Sequence, residues 1–338
     1  MYLRLNSDEL VIKDIFDAFF RIECPVERVR SAQPSGFDAA AWGRLIETGA
    51  PGICIDGALG GGGAPLTVGA VIADLLGQSI APLPLLEHMT ATRLIARTNP
   101  EHPALPALVT GEKIATIALR PPENNILKLV PAGAVAHTVV ALEENKLLIT
   151  DETGSGDAVA NTADLPLANR PLSDSTLLCE GAEAITAFNQ ARAEWQALMA
   201  MALTGIARKS VEIGVEYVKS RYQFGVLIGS FQSLQHGLAT AATNVEGAHL
   251  LSSRAIAALE ESKPDALQLA GMAFLFAAET AVEAAGTSLQ YHGGYGFAEE
   301  YDIQLYYRRA KGWPLQLGDP STEYQRLASL HPLMAKGA

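Results

Sequence analysis

The stretch Gln290-Tyr291-His292-Gly293-Gly294-Tyr295-Gly296-Phe297-Ala298-Glu299-Glu300-Tyr301 decides how this chain is interpreted. Its glycines allow a close backbone approach and leave N–H groups free to donate hydrogen bonds. An apolar, Ala-rich stretch precedes it and a second helical pattern follows, so the sequence predicts a loop between two helices. The loop either binds a phosphate or a sugar, or is a glycine-rich turn without a ligand. Its neighbours decide between the two.

A second informative stretch lies where a long helical pattern stops, at Arg221, Phe224 and Gly225. The pattern predicts that the helix ends at the glycine, with Arg221 in its last turn and free to reach an anion. Phe224 offers a flat apolar face on which a base can stack. Gln232 and Gln235 lie one turn apart on the next predicted helix. Taken singly, the arginine can cap its own helix and the phenylalanine can fill the core.

Composition limits the class of protein. The chain has 338 residues, and 49% are hydrophobic although only 7% are aromatic. Its mean hydropathy is +0.15, yet no apolar run approaches the roughly 18–20 residues of a membrane helix. We therefore expect deep burial or large subunit interfaces, and no membrane insertion. The formal net charge of −12 argues against nucleic acid as a partner. An anionic ligand needs only a local basic site.

Cysteine and histidine usage gives no metal signature. Cys24, Cys54 and Cys179 are far apart, and the seven histidines are scattered. We expect reduced thiols in a cytoplasmic protein and no metal site. The charged, amphipathic stretch from Met1 to Phe20 does not resemble a signal peptide.

Hydrophobic periodicity divides the chain into three parts. Helical patterns dominate residues 1–108, and short runs rich in β-branched residues mark residues 109–178. Helical patterns return in residues 179–338. There we predict four helices, over about 182–220, 229–261, 264–290 and 301–311. The predicted order is therefore α, then a small inserted β domain, then α.

The combination of motifs is more specific than any one of them. Arg-x-x-Phe-Gly at Arg221, Phe-Gln-x-x-Gln at Phe231 and Gln-x-x-Gly-Gly-x-Gly at Gln290 resemble the C-terminal domain of acyl-CoA dehydrogenases. The resemblance extends over nearly the whole chain and is weaker at the N-terminus. It implies a mostly α fold with an N-terminal helical domain, a reduced middle β domain and a C-terminal four-helix bundle.

The resemblance also implies an activity. Members of this family use FAD to form a C2–C3 double bond in an acyl-CoA thioester. By resemblance, Arg221, Phe224 and Gln232 bind the pyrophosphate and adenine end of FAD. The loop matching Gln290, Gly293 and Gly294 reaches the same FAD from a neighbouring subunit. A Gln side chain and free loop N–H groups are suitable donors to phosphate oxygens.

The chain departs from the family in the flavin half of the pocket. The family's middle domain usually carries Thr-Glu-Pro-x-x-Gly-Ser-Asp after a strand, with the Thr beside the flavin ring. Here the run is Leu119-Arg120-Pro121-Pro122-Glu123-Asn124-Asn125, so Arg120 replaces the Thr and the Gly-Ser pair is missing. The resemblance thus implies that the ADP half is kept and the flavin half is eroded.

The catalytic base is the second departure. Matching the family's Glu-Gly-Thr triplet without a gap places Leu317 at the Glu, whereas two inserted residues place Asp319 there. In the second alignment Asp319 is the base, with a side chain one methylene shorter than that of the family's Glu. Alternatively, Asp319 is only a turn residue before Pro320. Other members place the base on the long helix, where Trp195 stands here. The neighbouring Glu194 is expected on a solvated helix face.

Three functions follow from this resemblance. The chain is one subunit of a heteromeric acyl-CoA dehydrogenase, and a related partner supplies the missing flavin contacts or base. Such short chains act on bulky acyl-CoA esters, for example of steroids, with electron-transfer flavoprotein as acceptor. Alternatively it is a self-sufficient homo-oligomer that uses Asp319. The third function is a non-catalytic stabilising subunit.

Overall fold

Helices form most of the fold in this computed structural model, which describes residues 6–33, 35–151 and 156–330. Within these ranges the α-helices are α1 (Ser7–Glu23), α2 (Val26–Ser31), α3 (Ala39–Glu47), α4 (Leu66–Ser79), α5 (Leu85–Thr98), α6 (Leu105–Val109), α7 (Ala182–Ser220), α8 (Gln232–Glu260), α9 (Ala266–His292), α10 (Ile303–Gly312) and α11 (Pro320–Leu330).

Short strands occupy the region between α6 and α7, with one hairpin after α7. In chain order they are β1 (Ala115–Ile117), β2 (Ile126–Val130), β3 (Thr138–Glu143), β4 (Lys146–Thr150), β5 (Asp157–Ala158), β6 (Ala168–Pro171), β7 (Thr176–Glu180), β8 (Tyr222–Gln223) and β9 (Val226–Leu227). One sheet has the order β1-β3-β4-β7, in which only β1 and β3 are parallel. The second has the order β2-β6-β5. The predicted mostly α fold with a small β insert is confirmed.

The helix α7 is the central element. It has 39 residues and packs against α4, α5, α8 and α9. Small residues let the α4 and α7 backbones approach closely: a Cβ on Gly77 would lie 1.8 Å from the carbonyl oxygen of Ala202. A Cβ on Gly205 would lie 2.1 Å from that of Asp74. This crossing joins the N-terminal helices to the C-terminal bundle.

The helix α9 corrects one expectation from composition. Together with the turn after it, the segment Ala266–Phe297 is long and apolar enough to cross a membrane by length and composition. The prediction that no apolar run is this long is therefore wrong. In this fold 61% of its most apolar window is buried, because α9 packs against α7 and α8.

Candidate functional site

The C-terminal end of α7 differs from the prediction. The helix ends at Ser220, and Arg221 follows it in an extended conformation, with its N–H bonded to the Tyr217 carbonyl. Arg221 is thus not in the last turn, and Gly225 does not cap the helix. Instead β8 and β9 form a hairpin whose two turn residues, Phe224 and Gly225, have φ values of 53° and 80°. Positive φ at both central residues is the requirement of a type I′ two-residue hairpin turn.

Phe224 is held in an unusual conformation. A positive φ is costly for a bulky residue, and such outliers cluster at functional sites. Its side chain is 91% exposed and meets the ring of Phe231 edge-on, with centroids 6.3 Å apart. The ring of Phe224 is therefore exposed to solvent and is not part of the hydrophobic core.

The glycine loop is the turn between α9 and α10. Gly293 follows the last residue of α9 with φ of 61°, and residues 293–297 form a 3-10 turn. A Cβ built on Gly293 or on Gly294 would meet nothing within 4 Å. These glycines therefore lie beside open space and not against the protein's own core. Gln290, in the last turn of α9, is also exposed.

The hairpin and the glycine turn lie side by side on one chain. The guanidinium of Arg221 lies over the ring of Tyr295, 5.3 Å from its centroid. The Tyr291 hydroxyl donates to the Ser233 carbonyl at 3.4 Å, which ties the turn to the first residues of α8. We call residues 221–235 and 290–297 the hairpin surface. It contains all six predicted cofactor-binding residues: Arg221, Phe224, Gln232, Gln290, Gly293 and Gly294. The glycine loop and the hairpin thus lie side by side on one chain, whereas the resemblance implied that the loop reaches the FAD from a neighbouring subunit.

A buried histidine supports this surface from below. His292 stacks on Tyr217 with ring centroids 3.9 Å apart, and its Nδ1 lies 2.7 Å from the Ser288 carbonyl. Burial lowers the pKa of His292, so the ring is neutral at pH 7. His292 therefore packs against α7, to which Tyr217 belongs.

The hairpin surface combines exposed apolar side chains with groups that attract an anion. No ion pair joins Arg221 to a carboxylate among the described residues. The N-cap residue of α8 is Phe231, whose side chain makes no capping hydrogen bond, and Gln232 is the first residue of the helix. Anions are stabilised at such helix N-termini. The large exposed apolar residues are Tyr222, Phe224, Val226, Leu227, Phe231, Tyr295 and Phe297.

Arg120 lies elsewhere, against the segment that joins α10 to α11. Its Nη2 donates to the Leu315 carbonyl at 3.1 Å, and its guanidinium lies about 3.7 Å from where a Cβ on Gly318 would be. Its Nε is buried without a partner among the described residues. The arginine that replaces the family's threonine thus fills the space between the β region and this segment.

Asp319 is exposed at the start of α11. Its Oδ1 accepts a hydrogen bond from the Ser321 N–H at 2.8 Å. The Ser321 backbone hydrogen bond lowers the pKa of Asp319, so the carboxylate is ionised at neutral pH. Among the described residues, no hydrogen bond, ion pair or ring contact links Asp319 to the hairpin surface.

The expectation for Glu194 is wrong. The residue is 1% exposed, and Arg93 and Arg97 both bind its carboxylate. Burial alone raises the pKa of Glu194, but Arg97 and Arg93 outweigh it and the net pKa is lowered. The carboxylate is thus fixed as a structural ion pair joining α5 to α7.

The sequence analysis missed a polar cavity in the interior. It lies where the N-terminal helices, the β region and the C-terminal helices meet, and it is lined in part by Glu87, Asp164, Arg309, Trp313 and Gln316. The indole of Trp195 donates to Glu87 at 3.4 Å. Burial raises the pKa of Glu87, and burial lowers that of Arg309 to about 10. One signal existed, because Glu87 shares a helix face with the buried Ala91 and Leu94.

Comparison with known proteins adds independent information. Residues 182–328 match the family model described as acyl-CoA dehydrogenase, C-terminal domain. The chain is 32% identical over 305 residues to the acyl-CoA dehydrogenase IpdE2 of Mycobacterium tuberculosis, covering 89% of this chain and 90% of that protein. It is 29% identical over 331 residues to IpdE2 of Mycolicibacterium smegmatis, covering 96% and 98%.

Solved structures share the fold. The Tcur3481-Tcur3483 steroid ACAD G363A variant superposes with a TM-score of 0.87 at 24% identity, covering 98% of both chains. The ChsE4-ChsE5 complex from Mycobacterium tuberculosis superposes with a TM-score of 0.84 at 22% identity, covering 98% of this chain and 99% of that one. At these identities the likeness concerns the fold.

Proposed function

Since the chain belongs to the acyl-CoA dehydrogenase family, we propose that it is one subunit of a heteromeric, FAD-dependent enzyme that desaturates an acyl-CoA thioester. The observation that carries this proposal is the hairpin surface. It presents an unpaired cation, an exposed aromatic ring and open glycine backbone on a single face. In this proposal the face binds the ADP portion of FAD between this chain and a related partner.

The residues of the hairpin surface suit that portion of FAD. Arg221 supplies a positive charge for the pyrophosphate, and Phe224 offers its ring to the adenine. Gln232 and Gln290 contribute amide groups, and the open side of Gly293 and Gly294 leaves room for a ligand to approach the backbone. Bound FAD would supply the hydride acceptor for the desaturation.

The flavin ring fits this chain less well. Arg120, which replaces the family's flavin-contacting threonine, fills the space beside Leu315 and Gly318. We therefore assign the ring mainly to the partner subunit and derive no step at the ring from this chain.

The proposal includes a base for the α-proton. Asp319 is this chain's candidate, because its carboxylate is ionised and one side of it is exposed. In the alternative, self-sufficient enzyme, two copies of this chain form the site and Asp319 is the only proposed base. A non-catalytic stabilising subunit is the third function, and it would keep the interface without needing Arg221.

The proposal also covers the substrate, the partner subunit and the electron acceptor. The structural neighbours include a protein described as a steroid ACAD and a two-component complex. We infer a bulky acyl-CoA as substrate, a homologous subunit as partner and an electron-transfer flavoprotein as acceptor. We further propose a cytoplasmic location and three domains, over residues 1–108, 109–178 and 179–338.

Cofactor content tests the proposal directly. The chain is co-expressed with a related acyl-CoA dehydrogenase subunit, and the FAD bound per assembly is measured by absorbance. Replacing Arg221 with Ala is expected to weaken FAD binding by about tenfold or more, because a charge-assisted contact to the pyrophosphate is lost. Arg221→Lys keeps the charge and is expected to lose less.

A matched control separates this effect from a general loss of charge. Arg254 lies on α8 with its side chain 56% exposed, so Arg254→Ala should leave FAD content unchanged. Full FAD content in Arg221→Ala would contradict the proposal and favour the stabilising subunit. A yellow, active protein from this chain alone would instead favour the self-sufficient enzyme.

A further inference from the structure

A large cavity lies between α1, α4, α7 and α8, and we call it the lateral cavity. Its volume is about 620 Å³, within the roughly 300–1,000 Å³ of small-molecule sites. Each helix contributes a polar side chain to its wall: Lys13 from α1, Asp74 from α4, Arg208 from α7 and His249 from α8. None of the described residues that line it belongs to the hairpin surface or to the smaller interior cavity.

Three polar groups in the lateral cavity lack hydrogen-bond partners. Asp74 Oδ1 and His249 Nδ1 are buried atoms without a partner among the described residues. Arg208 donates no hydrogen bond within the same ranges, and its Nη2 lies 3.8 Å from Asp74 Oδ1, beyond hydrogen-bond distance. The Asp74 side chain is only 13% exposed. Buried polar groups in native proteins nearly always have a partner, so this set points to a ligand.

The carboxylate of Asp74 is incompletely compensated by its surroundings. Burial raises the pKa of Asp74, although Arg208, His249 and Lys13 act in the opposite direction. Gln78 donates to the other oxygen, Oδ2, at 2.8 Å. A donor to Oδ1 would therefore stabilise the ionised form of this acid.

We propose that the lateral cavity binds a primary carboxamide that carries an apolar tail. The amide NH₂ group donates to Asp74 Oδ1, and the amide oxygen accepts from Arg208. The bound amide thus bridges α4 and α7. This inference goes beyond the proposed function, because the ligand is neither FAD nor an acyl-CoA.

The directions of the missing hydrogen bonds select an amide. A carboxylate accepts but does not donate, and an ammonium donates but does not accept, so each leaves Asp74 or Arg208 unmatched. A hydroxyl would have to serve both groups from one oxygen atom. An amide has separate donor and acceptor atoms for two groups that lie 3.8 Å apart.

The remainder of the lateral cavity suits an apolar tail. Its lining residues on α4 extend from Thr67 to Gln78, which is about 16 Å at 1.5 Å per residue. Apolar side chains line the same length: Ala70, Val71, Leu75, Met201 and Ile256. Burial of a hydrocarbon tail against them is favourable.

The test uses four probes with one skeleton: 4-phenylbutanamide, 4-phenylbutanoate, 4-phenylbutylamine and 4-phenylbutan-1-ol. Calorimetry on the full-length protein, as purified, measures the four dissociation constants. The amide is expected to bind about tenfold or more tightly than each of the others, because only the amide matches both Asp74 and Arg208.

Variants of the two partners locate the site. Arg208→Met keeps the aliphatic stem and removes the donor, so it should reduce the preference for the amide over the alcohol to about threefold or less. Arg254→Met is the matched control, since Arg254 also lies 3.8 Å from an acid, Asp265, but outside the cavity. It should keep the preference. Asp74→Ala removes the acceptor and should reduce the preference even if Arg208→Met does not fold.

Three results would overturn the inference. Equal affinities for the four probes, or binding of none, would mean that the cavity holds water only. Tighter binding of the carboxylate or the amine would assign it to a charged ligand. Displacement of the amide by saturating FAD or an acyl-CoA would place the amide in another site. The proposed function is tested separately by FAD content, so each can fail without the other.

Discussion

Two carboxylates of this chain show how single residues acquire different roles. Glu194 is buried between Arg93 and Arg97, so both of its oxygens are committed to ion pairs. Asp319 is exposed, and its hydrogen bonds come from Ser321, whose N–H donates to Oδ1 and whose side chain also bonds the carboxylate. Each is ionised at neutral pH, because its pKa is lowered. Only Asp319 keeps an oxygen available to accept a proton from a bound substrate.

Replacing Asp319 with Asn tests that role at the residue scale. Asn caps helices about as well as Asp, so the variant should keep the fold and the thermal unfolding midpoint. If Asp319 is the base, kcat should fall at least 100-fold, because an amide cannot take the proton. Single-turnover rates of flavin reduction in the active assembly measure this.

The matched control is Ser321→Ala, which leaves the backbone N–H that bonds Asp319 in place. It should change kcat by less than about threefold, the scale of a minor perturbation and far below a lost base. Unchanged turnover in Asp319→Asn would show that the base comes from the partner subunit.

At the scale of secondary-structure elements, the crossing of α4 and α7 holds the fold together. Gly77 of α4 faces the Ala202 backbone, and Gly205 of α7 faces the Asp74 backbone. The two helix backbones are therefore in contact at these positions, and there is no room for a Cβ at either glycine. Backbone atoms cannot move aside as the end of a flexible side chain can. The N-terminal helices therefore keep a fixed position relative to the C-terminal bundle and the cavity between them.

Gly77→Ala is expected to destabilise the protein by about 1–3 kcal/mol or more, because its Cβ would overlap the Ala202 backbone. Urea unfolding followed by circular dichroism measures the free energy of unfolding. Gly43 in α3 is the control: a Cβ there meets nothing within 4 Å, so Gly43→Ala should gain up to about 1 kcal/mol. Equal stability of the two variants would contradict the packing argument.

The sequence predicted the long elements well, because their apolar spacing repeats over several turns. The α7 bounds, Ala182–Ser220, match the prediction. The hairpin after it was missed, since strands of two residues carry no periodicity. Glu194 was predicted to be solvated because its partners, Arg93 and Arg97, are about a hundred positions away in the chain. The grouping of Glu87 with Arg309 and Trp313 joins two distant segments and was likewise invisible in the sequence.

At the scale of the whole molecule, the hairpin surface carries the two most exposed large apolar residues in the described part of the chain. Phe297 is 75% exposed and Phe224 is 91% exposed, in a protein whose other large apolar residues are mostly buried. Contiguous exposed apolar patches mark interaction sites. An exposed apolar patch of this kind agrees with the proposed heteromer, in which the surface contacts a partner chain as well as a ligand.

Phe297→Ser is expected to weaken association with the related subunit by about tenfold or more, because exposed aromatic anchors contribute most at interfaces. Sedimentation velocity over a concentration series measures the dissociation constant. Leu177→Ser is the control, since Leu177 is 50% exposed on β7, outside the hairpin surface. Equal weakening by both variants, or by neither, would contradict the assigned interface.

The length of α7 has a consequence for how the cofactor is retained. Met199 lines the interior cavity and Arg221 follows the end of the same helix, 22 positions later. At 1.5 Å per residue they are separated by about 33 Å along the axis, farther than one FAD molecule extends. A single FAD therefore does not join both places within one chain. If FAD lies between two subunits as proposed, dilution that separates the subunits also releases the cofactor.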